Sequence, residues 1–569
     1  MKEQEILRGL TSEQEKAVMF GSGPCLVVAG AGTGKTSVIT RRISWLISKK
    51  LAKPDQILAL TFTEKAANEM TLRVDELSDY VYSGLSISTF HSFGSDLISE
   101  FSYELGLSPD VRVLSSAEQV LFIKDKIFEF NFIHYQNLGD PSAMIKDLVK
   151  IFSRAKDEAV MPEEWIKKAK NKMKKSKDEA EREESEKELE LANAYKKYND
   201  LLRENGYIDY GDQIFLILDL LKKPSVAKKI RERYLYVLID EFQDTNYVQS
   251  EVVRRIFGDS GNVMVVGDDD QSIYKFRGAS VSNILDFKKS YEGARTIVLN
   301  KNFRSTQKIL DISYKFINHN NPNRLEVKEK INKKLISDLG EGADPRLHLF
   351  SDETKEADFV AEKIEKELKK GKSPTDFAIL VRANRHAEEF VLALKKRGIP
   401  YVFSGLAGLY QKIEIKNLIS LISILSDPED DLSLFHLSAS EIYDFDMTDL
   451  AILSSYSRKN NKLLLSVYEK IDTLPKEVEV SDNTKEKAKK VFEDLKILRE
   501  ESKTSTAGEI VNLFLKNSGY YAKLTKEAKS GSLEAHNKIN NIASFFDRVI
   551  SFQRNYRDHS LEKFARYLE

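Results

Sequence analysis

The stretch Val27-Val28-Ala29-Gly30-Ala31-Gly32-Thr33-Gly34-Lys35-Thr36 decides how this chain is interpreted. It joins an apolar strand to a glycine-rich loop, and a helix from roughly Lys35 to Ile47 is predicted to follow. Successive backbone N–H groups in such a loop curl inward around phosphates, where larger side chains would obstruct them. We therefore expect the loop from Ala29 to Thr36 to bind the phosphates of a nucleotide.

The last two residues of the loop have distinct predicted roles. Lys35 supplies a point charge for the β- and γ-phosphates, and Thr36 offers its hydroxyl to Mg²⁺. The helix that begins here turns the positive end of its dipole toward the same anion. The pattern departs from the usual one at Ala29, where glycine is the common residue. The loop alone does not decide between a nucleotide site and a chance glycine-rich turn.

A second apolar strand, Leu235 to Ile239, ends in the acid pair Asp240-Glu241. Its continuous apolar sequence is typical of a parallel strand buried on both faces. Asp240 is predicted to hold Mg²⁺, and Glu241 to orient and deprotonate an attacking water. Loop and acid pair together predict a nucleoside-triphosphate hydrolase. The acid pair, and the absence of a guanine-reading Asn-Lys-x-Asp sequence, disfavour a kinase or a switch GTPase.

The composition sets limits on partners and compartment. The 569 residues suggest roughly three to five domains. Lys and Arg number 88 against 89 Asp and Glu, so any contact with nucleic acid must come from a local surface. The only cysteine, Cys25, excludes an internal disulfide and fits the reducing cytosol. We also expect no signal peptide and no membrane span.

The order of predicted elements indicates an α/β fold. Strands followed by helices recur from the loop to Val266, with strands at Gln56 to Leu60, Leu85 to Ser88 and Asn262 to Val266. The pattern between about Ser108 and Gly206 is helical, and its charged part from Lys167 to Lys197 predicts a solvated helix or helix pair. Further strands at Thr296 to Leu299, Leu347 to Phe350 and Phe377 to Val381 predict a second sheet. Helical spacing resumes from about Lys412.

Several ordered motifs resemble the Rep/PcrA/UvrD branch of the superfamily 1 DNA helicases. Besides the loop and the acid pair, the motifs are Leu10-Thr11-Ser12-Glu13-Gln14, Leu60-Thr61-Phe62-Thr63-Glu64-Lys65-Ala66-Ala67, Ser88-Thr89-Phe90-His91-Ser92-Phe93, Val266-Gly267-Asp268-Asp269-Asp270-Gln271-Ser272-Ile273-Tyr274-Lys275-Phe276-Arg277-Gly278-Ala279 and Asn302-Phe303-Arg304-Ser305-Thr306. A looser match covers Ile399-Pro400-Tyr401 and Glu414-Ile415-Lys416. So many matches in one order make the resemblance specific.

The resemblance implies roles at the nucleotide. Gln14 corresponds to the glutamine that reads the adenine edge, and an amide suits this because it both donates and accepts hydrogen bonds. Phe303 stands where the family usually has a tyrosine that stacks on adenine. Gln271 corresponds to the residue that contacts the γ-phosphate or its attacking water. Arg304 corresponds to an arginine finger that stabilises charge in the transition state.

The resemblance also implies a surface for single-stranded DNA. Aromatic rings stack on bases of any identity, and hydroxyls or cations contact phosphates. The implied residues are Thr61, Phe62, Thr63, Thr89, His91, Tyr274, Phe276 and Arg277. Taken singly, the aromatic residues among them could equally be core residues, and His91 a helix cap.

Two late motifs of the family do not occur in the sequence. One has a Thr-x-His-x-x-Lys-Gly core, and the other carries a second arginine finger near Thr-Arg-Ala. A shortened chain is the favoured explanation, ahead of a gene split into two polypeptides and of a natural ATP-binding protein with little hydrolysis. We therefore expect ATP·Mg²⁺ binding with weak ATPase activity and no processive unwinding.

The resemblance implies two RecA-like parallel-sheet domains, each with a helical insertion and the second incomplete. The expected parts are the ATP-binding domain 1A at 1–107 and 207–293, the helical insertion 1B at 108–206, domain 2A at 294–411 and the accessory domain 2B at 412–569. The implied function is 3′-to-5′ movement on single-stranded or 3′-tailed duplex DNA in the cytoplasm, in DNA repair or replication, with a possible protein loading factor. An ATP-dependent switch or scaffold, and the motor part of a helicase–nuclease complex, remain alternatives.

Overall fold

The computed structural model describes residues 3–77, 84–108, 111–135, 141–274, 278–403, 409–475, 478–530, 532–555 and 559–568. The chain divides into two compact units, Met1–Arg346 and Leu347–Glu569. We call them unit 1 and unit 2. Among the described residues, no helix combines the length and the apolar character needed to cross a membrane.

Unit 1 is built around a parallel sheet. Its strands and those of two small ladders are β1 (Cys25–Ala29), β2 (Ile57–Thr61), β3 (Ser86–Thr89), β4 (Arg112–Leu114), β5 (Tyr207–Asp209), β6 (Tyr236–Ile239), β7 (Asn262–Gly267), β8 (Arg295–Leu299), β9 (Lys301–Asn302) and β10 (Ile336–Ser337). The main sheet has the order β3-β2-β6-β7-β1-β8, and β4 pairs with β5 and β9 with β10. All of these pairings are parallel. The α/β fold with a parallel sheet is thus confirmed.

The register brings the ends of the central strands to one edge. Ile239 of β6 lies opposite Val265 of β7, and Gly267 of β7 lies opposite Val28 of β1. The residues that follow these strands therefore emerge side by side. In an open α/β sheet, ligands bind outside the carboxyl ends of the strands.

Alternate residues of β1 pack into separate cores on the two faces of the sheet. Leu26 and Val28 belong to one cluster, and Cys25, Val27 and Ala29 to the other. This period of two is expected for a strand covered on both sides. Burial also raises the pKa of the Cys25 thiol to about 12, so the cysteine is an apolar core residue.

Helices cover both faces of this sheet. Those of unit 1 are α1 (Glu3–Leu7), α2 (Ser12–Val18), α3 (Lys35–Ser48), α4 (Glu64–Glu76), α5 (Phe90–Glu100), α6 (Ser102–Leu105), α7 (Ser116–Asp125), α8 (Pro141–Asp157), α9 (Pro162–Lys175), α10 (Glu179–Glu204), α11 (Asp212–Leu221), α12 (Pro224–Arg233), α13 (Tyr247–Phe257), α14 (Ser282–Leu285), α15 (Phe287–Ser290), α16 (Gln307–Ile317) and α17 (Leu325–Lys328). The charged region forms the predicted helix pair, α9 and α10, whose inner side packs Tyr195 and Tyr198 against Phe152. The short strand β4 within the helical region was not predicted.

The strand at residues 295–299 differs from its expected position. It was predicted to belong to a second sheet, but β8 pairs with β1 from Cys25 to Ala29 and extends the first sheet. Apolar sequence identifies a buried strand without naming its partner, because parallel partners lie far apart in sequence. The four-part domain division stays a prediction.

Unit 2 is helical in its described part. Its helices are α18 (Glu353–Lys369), α19 (Glu388–Lys396), α20 (Ile413–Ser426), α21 (Asp431–Ala439), α22 (Met447–Lys459), α23 (Leu464–Glu469), α24 (Asp482–Glu501), α25 (Ala507–Asn517), α26 (Tyr520–Lys529), α27 (Leu533–Asn555) and α28 (Leu561–Leu568). The apolar residues of the predicted helical region, such as Leu418, Leu421, Leu464 and Phe545, are buried in one core. The helical prediction from about Lys412 is therefore confirmed.

The two strands predicted at Leu347 to Phe350 and Phe377 to Val381 are not strands in the structure. Leu347 is 86% exposed and Leu380 94% exposed, so neither segment is covered as a sheet strand would be. A strand requires a neighbour that accepts and donates its ladder hydrogen bonds, and within the described residues of unit 2 neither segment has one. The second parallel sheet is thus absent from the part of unit 2 that the structure describes.

Candidate active site

The glycine-rich loop has the tight backbone that its sequence requires. Gly32 and Gly34 have φ angles of 78° and 83°, in the left-handed region that side chains disfavour. A Cβ atom on Gly32 would lie 2.6 Å from Cβ of Arg304, and one on Gly34 would lie 2.7 Å from Nε2 of Gln14. The Thr33 hydroxyl donates to the Gly30 carbonyl at 2.8 Å and closes the turn. Neighbouring segments therefore pack directly on the loop where glycine leaves room.

The acid pair meets the end of this loop. Nζ of Lys35 lies 2.7 Å from Oε2 of Glu241, although the two residues are 206 positions apart. The Thr36 hydroxyl donates to Oδ2 of Asp240 at 3.2 Å. Glu241 has a φ of 49°, a conformation that non-glycine residues rarely adopt. The backbone turns sharply after β6, and this turn directs the Glu241 carboxylate back toward Lys35.

Asp240 lies deep at this edge of the sheet. It is 5% exposed, and burial raises the pKa of its carboxyl to about 6, with the nearby charge of Glu241 adding to the effect. Lys35 opposes this rise to a smaller extent. A buried carboxylate with a raised pKa is poorly compensated by its surroundings, which favours a further cation beside it.

Two glutamines extend the network from the acid pair. Lys35 Nζ donates to Oε1 of Gln271 at 3.1 Å, and Nε2 of Gln271 donates to Oδ2 of Asp268 at 2.7 Å. Gln243 donates from Nε2 to Oε2 of Glu241 at 2.8 Å, and its Oε1 accepts from the backbone N–H of Asp268 at 3.0 Å. The ends of β6 and β7 are therefore joined through polar side chains around the Lys35 ammonium.

The two adenine-contacting residues implied by the resemblance lie beside the loop. Gln14 is 4% exposed, and its Nε2 donates to the Thr33 carbonyl at 2.9 Å. The backbone N–H of Phe303 donates to the Gly32 carbonyl at 2.9 Å, and its ring is 40% exposed. The ring of Phe303 is therefore open to a stacking ligand, whereas the amide of Gln14 is hydrogen-bonded within the chain.

The segment with the candidate arginine finger also touches the loop. Nδ2 of Asn302 donates to the Ala31 carbonyl at 2.6 Å, and its Oδ1 accepts from the backbone N–H of Arg304 at 2.9 Å. Arg304 itself is exposed. Asn302 thus fixes the start of the arginine segment on the phosphate loop, a role that the sequence analysis did not assign.

The residues implied for DNA contact fall into different surroundings. The rings of Phe62 and Tyr274 stack with centroids 5.4 Å apart at 25°, and Phe62 is 38% exposed. The rings of His91 and Tyr210 form a T-shaped pair with centroids 6.4 Å apart. Phe276 and Arg277 lie outside the described residues. Phe62 and Tyr274 therefore form one accessible aromatic platform.

The three threonines implied for phosphate contact differ in their surroundings. Thr61 is 2% exposed, and its hydroxyl has no hydrogen-bond partner among the described residues. Thr63 caps α4 by accepting from the Ala66 N–H, and Thr89 caps α5 and donates to Oε1 of Glu64 at 2.8 Å. Thr61 and Thr89 are therefore buried, whereas Thr63 is exposed at the surface of unit 1.

Comparison with known proteins agrees with these features. Residues 10–292 match the UvrD/REP helicase N-terminal domain, and residues 297–569 match the UvrD-like helicase C-terminal domain. The chain belongs to the UvrD/REP helicase family. It is therefore an enzyme of the DNA helicase class, whose members hydrolyse ATP, and the resemblance found in the sequence is confirmed.

Curated members of this UvrD/REP helicase family align over almost the whole chain. The ATP-dependent DNA helicase PcrA of Leuconostoc citreum is 30% identical over 99% of this chain and 71% of its own length. The PcrA of Bacillus subtilis is 30% identical over 98% of this chain and 71% of its own length. That of Staphylococcus epidermidis is 29% identical over 97% of this chain.

Proposed function

We propose that this chain is an ATP-dependent motor that moves 3′-to-5′ on single-stranded DNA, including the tail of a 3′-tailed duplex. The observation that carries the proposal is the 2.7 Å contact between Lys35 of the phosphate loop and Glu241 of the acid pair. A phosphate-binding lysine and a catalytic carboxylate at one point can act on a single triphosphate. The direction of movement comes from the family alone.

The residues present fit a Mg²⁺ ion beside the triphosphate. Magnesium prefers hard oxygen ligands, and the hydroxyl of Thr36 and the carboxylate of Asp240 supply them. Burial raises the pKa of the Asp240 carboxyl despite the nearby Lys35, which supports a further cation at this place. When bound, the ion would neutralise charge on the phosphate oxygens.

The protein side chains then have separate tasks. Lys35 exchanges Glu241 for the β- and γ-phosphates, and the released carboxylate orients and deprotonates the attacking water. Gln271 presents its amide to the γ-phosphate or the water. Arg304 contributes positive charge to the transition state when its segment closes on the loop. Closure of the nucleotide site would thus be coupled to the chemistry.

The strand surface uses stacking, which is independent of base identity. Phe62 and Tyr274 offer the accessible rings, and we expect each base–ring stack to contribute about 1 to 3 kcal/mol. Tyr274 stands three positions after Gln271 in the same motif. A change at Gln271 on nucleotide binding or hydrolysis can therefore alter the affinity of Tyr274 for DNA through the short segment between the two residues. We further propose that the protein acts in the cytoplasm and that a protein loading factor assists its binding to DNA.

We infer weak activity for the polypeptide of residues 1–569. A second arginine finger, in the family's Thr-Arg-Ala motif, does not occur in this sequence. Loss of one arginine from a phosphoryl-transfer site lowers the rate about 10³-fold or more. ATP·Mg²⁺ binding depends on the loop and the acid pair and should persist.

The proposal is tested by ATP hydrolysis with and without oligo-dT, measured with radiolabelled ATP on the purified chain. We expect slow hydrolysis that single-stranded DNA stimulates and that Lys35→Ala abolishes. Turnover as fast as that of an intact motor would contradict the weak-activity inference. No hydrolysis at all, with ATP still bound, would favour the switch or scaffold alternative.

A further inference from the structure

Three consecutive carboxylates that follow β7 enclose one ammonium group. Nζ of Lys333 lies 2.6 Å from Oδ1 of Asp268, 2.5 Å from Oδ1 of Asp269 and 2.7 Å from Oδ2 of Asp270. The Lys333 side chain is 5% exposed, and Asp268 and Asp269 are similarly buried. An ammonium desolvated to this degree is stable only because several carboxylates surround it.

The acidic run Asp268–Asp270 resembles a cation site, but side chains of the protein already balance it. Arg324 donates from Nε and Nη2 to the two oxygens of Asp270, both at 2.7 Å. The backbone N–H of Leu325 donates to Oδ2 of Asp269 at 2.8 Å. The point between the three carboxylates, where a metal ion would sit, is taken by the Lys333 ammonium. The run is therefore an internal ion cluster.

Asp268 connects this ion cluster to the nucleotide site. One of its oxygens accepts from Lys333, and the other accepts from Nε2 of Gln271 at 2.7 Å. An amide has its donor and its acceptor on opposite sides of one carbon. With the nitrogen held by Asp268, Oε1 of Gln271 must face Lys35, from which it accepts at 3.1 Å.

The same segment contacts the phosphate loop by a second route. The side chain of Leu335, two residues after Lys333, lies 3.0 Å from the position that a Cβ atom on Gly30 would occupy. Lys333 is also fixed at its backbone, since its N–H donates to Oε1 of Glu326 at 3.0 Å. The lysine is thus held rigidly relative to both the loop and Asp268.

We propose that Lys333 is a positioning residue for ATP hydrolysis, acting on Gln271 through Asp268. The ammonium orients the Asp268 carboxylate so that the Gln271 amide presents its oxygen toward the triphosphate. This inference rests on the proposed function of Gln271. Lys333 touches neither the phosphate loop lysine nor the acid pair, so its effect is on turnover and not on ATP affinity.

A double-mutant cycle with Gln271 tests the positioning role. Lys333→Met keeps most of the side-chain length and removes the charge. It should lower the DNA-stimulated turnover number about tenfold, equivalent to about 1.4 kcal/mol in the barrier. The KM for ATP should change less than about twofold. In a Gln271→Ala background the same substitution should cause no further loss, because the group it positions is gone. Lys333→Arg should recover part of the rate.

The matched control is Lys334→Met, which alters the next lysine. Its side chain is 53% exposed, and within the described residues it pairs only with Asp311, at 3.3 Å. The turnover of this variant should therefore equal that of the parent chain. If Lys333→Met fails to fold by circular dichroism, Asp268→Asn takes its place in the same cycle with the same expectation.

Two results would overturn the inference. An equal loss from Lys333→Met in the parent and in the Gln271→Ala background would show a general structural role. Unchanged turnover in a folded Lys333→Met variant would show no role at all. Both results can be interpreted only if the parent chain hydrolyses ATP. A parent chain without ATPase activity would contradict the proposed function and this inference together.

Discussion

At the scale of single residues, the accessible aromatic platform is the clearest candidate for strand binding. The Phe62 ring is stacked on Tyr274 and is 38% exposed, so an unpaired base can reach it. Phe62→Ala should weaken oligo-dT binding by about 1 to 3 kcal/mol, or roughly 5- to 150-fold in Kd. Fluorescence anisotropy of labelled oligo-dT measures this, with ATP affinity expected to stay the same.

A control for this substitution is Tyr103→Ala. Tyr103 is 83% exposed and lies outside all the helicase motifs, so its loss removes an aromatic surface without touching the platform. Its Kd for oligo-dT should equal that of the parent chain. Equal losses in the two variants, or none in Phe62→Ala, would contradict the assignment of the platform.

At the scale of elements, a buried lysine joins α8 to β5 and to the start of α11. Nζ of Lys156, at the end of α8, lies 2.7 Å from Oδ2 of Asp209 and 2.8 Å from Oδ1 of Asp212. The Tyr198 hydroxyl donates to the same oxygen of Asp209 at 3.0 Å. The Lys156 side chain is 0% exposed, so its charge has no alternative partner in water.

Lys156→Met should therefore lower stability strongly. It leaves two buried carboxylates without their cation, which costs about 3 to 5 kcal/mol. Thermal unfolding followed by circular dichroism measures the change. Lys150→Met is the control, because this lysine of α8 is 75% exposed and should shift stability by less than about 0.5 kcal/mol. A Lys156→Met variant as stable as the Lys150→Met control would contradict this account.

The neighbouring Asp157 is a half-buried carboxyl. Burial raises its pKa to about 6, against a hydrogen bond from Nδ2 of Asn246 at 2.7 Å and the charge of Arg154. Glu158 and Asp209 raise the pKa further. Because the pKa in the unfolded chain is about 3.9, the folded state holds the proton more tightly. The contribution of Asp157 to the free energy of unfolding is fully present below about pH 4 and is lost as pH rises through about 6.

Asp157→Asn should then raise the melting temperature at pH 7.5, where the half-buried charge is present. The free energy of unfolding should rise by about 2 kcal/mol. This increase should become smaller as pH falls from 7 to 5, because the Asp157 carboxyl of the parent chain then takes up its proton. Melting curves of both chains across this range provide the test, with Asp147→Asn, 67% exposed, as control. A gain that stays constant with pH would contradict the titration.

The sequence predicts elements better than it predicts their partners. The strands β1, β2, β6 and β7 were predicted because buried parallel strands are continuously apolar. The pairing of β8 with β1 was not, since the same apolar pattern fits either sheet. The acid pair and the loop follow from local motifs, whereas Lys333 has no local signal and is joined to Asp268 only by the fold.

At the scale of the whole molecule, the family of the chain agrees with the geometry of its candidate nucleotide site. Both family domains match along the chain, and the residues of the first converge at the ends of β1, β6 and β7. Lys35, Glu241 and Gln271 come from three separate strand–loop connections, and Lys35 contacts both of the others. Such a site depends on the pairing of β1, β6 and β7, so its chemistry is a property of the fold.

The most direct test of this convergence is Mg²⁺-dependent binding and hydrolysis of ATP by three chains. The parent should bind labelled ATP and hydrolyse it slowly, and Lys35→Ala should lose both. Glu241→Gln should still bind ATP with Mg²⁺ but should lose hydrolysis, because the phosphates are held while no base acts on the water. Hydrolysis at the parent rate in Glu241→Gln, or unchanged ATP binding in Lys35→Ala, would contradict a shared triphosphate site.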